Sequence, residues 1–190
     1  YQKRLKLSYG ETKLPFMTWT AGQREFTPLL LGLYQVLPER TRRKDPEINW
    51  VIVEEPEMGL HPQAVTTFML LVLDLLWRGY RVVLATHSPL VLTAVWALRS
   101  LRELRAPWYR VCEAFGISRN GMRKVAETAL AKEYRSYCLA FGEDERVRSE
   151  DISSLDPMAS DPAVAGWGGL TGFADRFSDA VRRAAQEANE

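Results

Sequence analysis

Polar and apolar positions change rhythm several times along the chain, and each change predicts an element. Residues 5–9 and 13–16 alternate on either side of Gly10-Glu11, the pattern of two short strands. After Thr20-Ala21-Gly22, the apolar residues Phe26, Leu29, Leu30, Leu33 and Leu37 recur at helical spacing. They predict a helix from about 23 to 37, stopped by Pro38. The charged stretch 39–47 reads as a solvated loop. Trp50-Val51-Ile52-Val53 is a continuous apolar run, the pattern of a strand buried on both faces, and Glu54-Glu55-Pro56 ends it abruptly. Pro62 suits the first position of the next helix, which runs to Arg78 and stops at Gly79. Residues 81–86 predict a second buried strand, and Ser88-Pro89 opens a helix toward Arg105. Helix, strand, helix, strand, helix is the order of an α/β fold, a parallel sheet flanked by helices.

The second half is less regular. Trp108 to Phe115 fits a strand, and 134–141 with 146–152 fit a hairpin around Gly142-Glu143-Asp144-Glu145. Residues 153–172 are rich in Ser, Asp, Pro and Gly and read as loop. Phe173, Phe177, Val181, Ala184 and Ala185 restore helical spacing, predicting a C-terminal helix over 173–188. No internal repeat is found, and the 190 residues are expected to form a single domain, 1–190.

Composition narrows the function more by exclusion than by assertion. With 25 basic and 24 acidic residues the formal net charge is +1, so overall charge gives no general attraction to nucleic acid. Arg99, Arg102 and Arg105, and the cluster Arg40 to Lys44, read first as solvated faces and only second as nucleic-acid contacts. The pair Glu143-Asp144 reads as an acidic hairpin tip rather than a nuclease metal site. Two cysteines, Cys112 and Cys138, make no disulfide framework and no metal spacing, which fits a reducing cytoplasm. The longest strongly apolar run, Phe68 to Trp77, is interrupted by Asp74 and falls short of the ~20 residues a membrane span needs. The chain opens on Tyr1 rather than Met, directly within an alternating stretch, and so reads as one entered midway.

Three places carry residues suited to chemistry. Glu54 and Glu55 set two carboxylates at the end of an apolar strand, where charge is costly unless paired or bound to a cation. In open α/β sheets ligands bind beyond the C-terminal ends of the strands. There one carboxylate can serve a Mg²⁺ shell while the other orients water; a solvated turn is the ordinary alternative. His87 follows the second strand, where it can donate to a phosphate oxygen or simply bond loop backbone. Thr20-Ala21-Gly22-Gln23 brings a hydroxyl and a glycine to a helix N-terminus, where free N–H groups attract phosphate. An ordinary helix cap has the same residues.

In order, the chain reads Thr-Ala-Gly-Gln-Arg-Glu, then apolar strand-Glu-Glu-Pro-Glu, then Gly-Leu-His-Pro, then apolar strand-Thr-His-Ser-Pro. This series resembles the C-terminal lobe of ABC-type ATPases, in particular the soluble branch of SMC-like, DNA-repair and phage-defence ATPases. The resemblance is specific over 18–92. It is looser over 152–173, where Ser153-Ser154-Leu155-Asp156-Pro157 and Trp167-Gly168-Gly169-Leu170 look like the tail of bacterial members. It implies that Thr20, Ala21, Gly22 and Gln23 are a signature motif, contacting the γ-phosphate of ATP held by a second copy. Val51 to Glu54 resemble the Walker B strand, with Glu54 beside the Mg²⁺ water shell in place of the usual Asp. Glu55 then stands as the catalytic glutamate, Gly59 to Pro62 as the D-loop at the dimer interface, and His87 as the switch histidine.

The departure matters as much as the match. The family's phosphate-binding loop, G-x-x-x-x-G-K-[ST], has no counterpart in these 190 residues, and no Q-loop is identifiable. The resemblance therefore implies a partial ABC-type domain whose N-terminal, Walker A lobe lies elsewhere. ATP hydrolysis is expected of the complete protein and not of this piece. The same motifs also suit an ATP-gated assembly module that recruits a nuclease or DNA with little turnover.

Overall fold

The computed structural model describes residues 6–37, 47–142 and 144–187. Leu5, the basic cluster 40–44, Glu143 and the last residue expected in the final helix, Ala188, lie outside the described residues. The chain divides into two compact units, 1–86 and 87–190.

The first unit begins with an antiparallel pair, β1 (Lys6–Tyr9) and β2 (Thr12–Pro15), in the register Lys6↔Pro15 to Tyr9↔Thr12. A single 3-10 turn, Phe16–Thr18, leads into helix α1 (Ala21–Val36). The helix starts two residues before the predicted boundary because Thr20 caps it. Its hydroxyl accepts from the Gln23 amide while the Gln23 side chain accepts from the Thr20 amide, a reciprocal capping box.

β3 (Trp50–Glu54) and β4 (Arg81–Ala85) are parallel neighbours, paired from Trp50↔Arg81 to Glu54↔Ala85. Between them runs α2 (Pro62–Arg78), with Pro62 in its first turn and Gly79 ending it at φ +99°. Val65, Phe68, Met69, Val72, Leu73 and Leu75 form the buried stripe of α2 at helical spacing, and the helix packs against β4. Tyr80 closes this core: its ring is buried and its hydroxyl donates to the Val36 carbonyl at 3.0 Å, tying the end of α1 to the start of β4.

One expectation fails here. β3 was to be buried on both faces, yet only Val53 is enclosed, at 7% exposure, while Trp50 and Ile52 stand at 52% and 68%. Val83 on β4 is also exposed, at 42%. The strand therefore alternates, with one side in the core and the other, among the described residues, bare. Arg81 lies 5.2 Å from the Trp50 ring centroid and partly shields the indole.

In the second unit, α3 (Pro89–Glu103), α4 (Tyr109–Ala114) and α5 (Arg123–Leu130) pack together. The strand expected over 108–115 is instead α4. Val111, Cys112 and Phe115 are the buried positions, and that spacing is helical, not alternating. Arg105 lies beyond α3 with φ +51°, so of Arg99, Arg102 and Arg105 only the first two stand on the helix. β5 (Tyr137–Phe141) pairs antiparallel with β6 (Val147–Asp151). The segment 153–172 is mostly turns, with a short helix, α6 (Pro162–Ala165), and α7 (Gly172–Glu187) follows. The two tail segments meet: the Trp167 indole N–H donates to the carbonyl of Leu155, which is fully buried. No described helix is long and apolar enough to cross a membrane.

Candidate functional site

The parallel pairing brings the C-terminal ends of β3 and β4 to one edge of the sheet, where the sequence sets its carboxylates. Glu54 is the last residue of β3 and is exposed. Glu55 continues the ladder by one bond, its amide donating to the Ala85 carbonyl at 2.8 Å. Its backbone then turns left-handed, φ +44°, a conformation that costs a non-glycine residue on the order of 1 kcal/mol or more. Glu55 also has no special side-chain means of settling there, as Asn or Asp would. Such backbone is kept where surrounding bonds over-determine it, and here they do. Ahead of the turn stands the Ala85 bond; after it, the Met58 amide returns to the Glu55 carbonyl at 3.0 Å and the Leu60 amide to the Glu57 carbonyl at 3.0 Å. The exposed Glu55 side chain thus stands on a tightly bonded loop.

The same loop meets the start of α1. Gly22 and Gly59 approach backbone to backbone, and a Cβ added at Gly22 would run into the Gly59 carbonyl. A Cβ added at Gly59 would lie 3.0 Å from the amide nitrogen and Cα of Gly22, and Gly59 has φ +68° besides. Two segments picked out separately in the sequence, Thr20 to Gln23 and Gly59 to Pro62, are therefore one structural feature. In an open first turn, replacing glycine by alanine would favour the helix by up to ~1 kcal/mol. At this contact Gly22→Ala is instead expected to destabilise by about 1–3 kcal/mol through overpacking. The sign of the change in thermal midpoint decides, and a raised midpoint would mean that the two backbones do not meet.

At the N-terminus of α1 the capping box occupies the Thr20 and Gln23 amides. The Ala21 and Gly22 amides make no hydrogen bond among the described residues, as first-turn amides of a helix have no partner within it. The Thr20 hydroxyl accepts from the Gln23 amide and can still donate its own proton elsewhere. His61 caps α2, its Nδ1 accepting from the Gln63 amide at 3.3 Å. His87 follows Thr86 beyond β4, is exposed, and opens the second unit.

One functional candidate escaped sequence reasoning. The Thr86 hydroxyl donates to Glu57 Oε1 at 2.7 Å, linking the two loops that leave the sheet edge. The third acid of Glu-Glu-Pro-Glu is the only signal in the sequence that could have drawn attention to it.

In the second unit an open groove has Arg99, Arg102 and Arg135 facing Glu103, Glu133 and Asp151. Arg99 pairs with Glu103 at 2.8 Å and Arg135 with Glu133 at 2.8 Å, so its charges are largely balanced internally. Tyr134, beside them, gives its hydroxyl proton to the Ala129 carbonyl, and burial pushes its phenol well above the usual range.

Residues 7–93 match the family model of the AAA domain, putative AbiEii toxin, Type IV TA system. Over 87 residues, 45% of this chain, the sequence is 31% identical to a protein named OLD nuclease from Thermus scotoductus. That stretch spans 16% of the Thermus protein. No solved structure matches the chain. The two similarities support an AAA/ABC-type P-loop ATPase relationship, and residues 7–93 contain β2 to β4, the Gly22–Gly59 contact, the two carboxylates and His87.

Proposed function

We propose that this chain is the C-terminal part of an ABC-type ATPase that closes around ATP as a dimer. The observation that carries the reading is the meeting of Gly22 with Gly59. It sets a helix N-terminus beside a loop that starts at a left-handed glutamate. Each feature alone has an ordinary explanation; joined in this sequence order they suit a signature motif and a Walker B loop set side by side in one chain, each serving a different ATP of the dimer.

In this reading the amides of Ala21 and Gly22, the Thr20 hydroxyl proton and the positive end of α1 hold the γ-phosphate of ATP bound to a second copy, with Gln23 completing the cap. Mg²⁺ neutralises phosphate charge when bound. The exposed carboxylate of Glu54 would suit a metal that ordinarily keeps several waters and takes one or two carboxylates plus phosphate oxygens. Glu55 accepts a proton from, and orients, the attacking water; His87 donates to the γ-phosphate. Catalysis of this kind needs mainly positioning and charge stabilisation, which a tightly bonded loop provides.

The bare face of β3 and β4, with Trp50, Ile52 and Val83, supports a further part of the reading. Parallel sheets are normally covered on both faces. We assign the missing cover to the lobe that holds the phosphate-binding loop. The name of the Thermus relative favours a second role for the same motifs, in which ATP-driven closure recruits or controls a nuclease activity.

Calorimetry with Mg²⁺ and ATP tests the assignment, comparing the 190-residue chain with the protein extended upstream in its native reading frame. Binding is expected only for the extended protein. Tight binding by the short chain would require a different nucleotide site, and no binding by either would end the ATPase reading.

A further inference from the structure

Three carboxylates occur within four positions, Glu54, Glu55 and Glu57, and the structure sorts them. Glu54 and Glu55 are exposed, whereas Glu57 is half-buried and turned toward the other strand's exit, where its Oε1 accepts from Thr86. The bond ties the loop that leaves β3 to the residue that leaves β4. The bond lies just beyond the last backbone tie of the ladder, between the Glu55 amide and the Ala85 carbonyl. It therefore extends the pairing of β3 and β4 by one further rung after the chain has left the sheet in its left-handed turn. The rung joins a point two residues after Glu55 to the residue covalently bonded to His87.

We propose that Glu57 is a positioning residue for the reaction: through Thr86 it fixes the loop that presents the Glu55 carboxylate. The inference rests on the ATPase reading above. A hydrogen bond to a charged acceptor is worth more than a neutral one, so it can hold a loop whose first residue stays in an unfavourable backbone region. Its loss leaves the backbone bonds of the turn in place but loosens the loop beyond them, and with it the direction in which Glu55 is presented, while the capping box of α1 keeps its own bonds. The effect thus belongs to turnover and not to affinity.

The test uses the full-length protein with Thr86→Val, Thr86→Ser, Glu57→Ala and the double variant Thr86→Val/Glu57→Ala. Valine keeps the shape of threonine without the donor; serine keeps the donor. Thr86→Val and Glu57→Ala are each expected to lower kcat for ATP by about tenfold with KM held within about twofold, from loss of a charge-assisted bond. The double variant should fall by clearly less than the product of the two single losses, since both remove the same bond. Thr86→Ser should stay near wild type. Amide hydrogen exchange across 55–60 gives a second readout, expected to quicken in Thr86→Val and not in Thr86→Ser. Unchanged kcat and exchange in Thr86→Val overturn the proposal. So does a rise in KM alone, which would assign Glu57 to binding, or parallel losses of activity and thermal midpoint in every variant, which would make it a fold residue. Failure of the underlying reading looks different: Glu55→Gln would then hydrolyse ATP like wild type, while the exchange data still report whether the bond orders the loop.

Discussion

Glu55→Gln in the full-length protein should lower ATP turnover by about two orders of magnitude or more, the usual worth of a general base, while ATP binding stays within a few-fold. Glutamine preserves the length and an acceptor oxygen of the side chain but has no carboxylate to take a proton. The backbone of the loop is held by groups the substitution leaves alone, the Ala85 carbonyl before the turn and the Met58 amide after it. The loss is therefore chemical rather than structural, and ATP-bound dimers should accumulate. Phosphate release under saturating Mg²⁺ and ATP, beside size-exclusion chromatography with nucleotide, measures both. Turnover at the wild-type rate would remove Glu55 from the mechanism.

The largest expected effect on stability is Phe68→Ala, at about 3–5 kcal/mol. Phe68 has 0% exposure and sits on the buried stripe of α2 between Val65 and Val72. Its removal leaves a cavity in the layer that α2 lays on β4, and a rigid helix with Pro62 at one end and Gly79 at the other has little freedom to collapse into it. A neighbouring surface change such as Gln63→Ala should cost far less. Urea denaturation compares the two; similar midpoints would mean that the first unit has no tightly packed core at this position.

The middle of the chain was legible because local and tertiary signals agree there. Pro62, the apolar stripe and Gly79 each mark α2 independently, and the short runs on either side could pair in parallel only through such a crossover. The far half offered weaker signals. α5 buries Val125, Ala126 and Ala129, and two alanines barely register as a hydrophobic face. Around α4, Trp108, Tyr109 and Phe115 suggest a strand by composition, while Val111, Cys112 and Phe115 are buried at helical spacing. The bare side of β3 was not legible because a continuous apolar run states what can be covered, not what covers it within these residues. At the site, residue types and their order were visible, but their connections were not. The Thr86–Glu57 bond spans 29 residues, and nothing in Glu55 itself announces a left-handed backbone.

The exposed side of the small parallel sheet also bears on how the chain behaves in a test tube. Trp50, Ile52 and Val83 lie on strands whose outer edges have no partner among the described residues, so backbone donors and acceptors are available next to apolar surface. That combination favours edge-to-edge association between molecules. A formal net charge of +1 and a sequence pI of about 8.0 give little colloidal repulsion at neutral or mildly alkaline pH. The 190-residue chain on its own is thus expected to self-associate with rising concentration most readily near pH 8, and buffers well below that value are the ones in which to keep it dispersed.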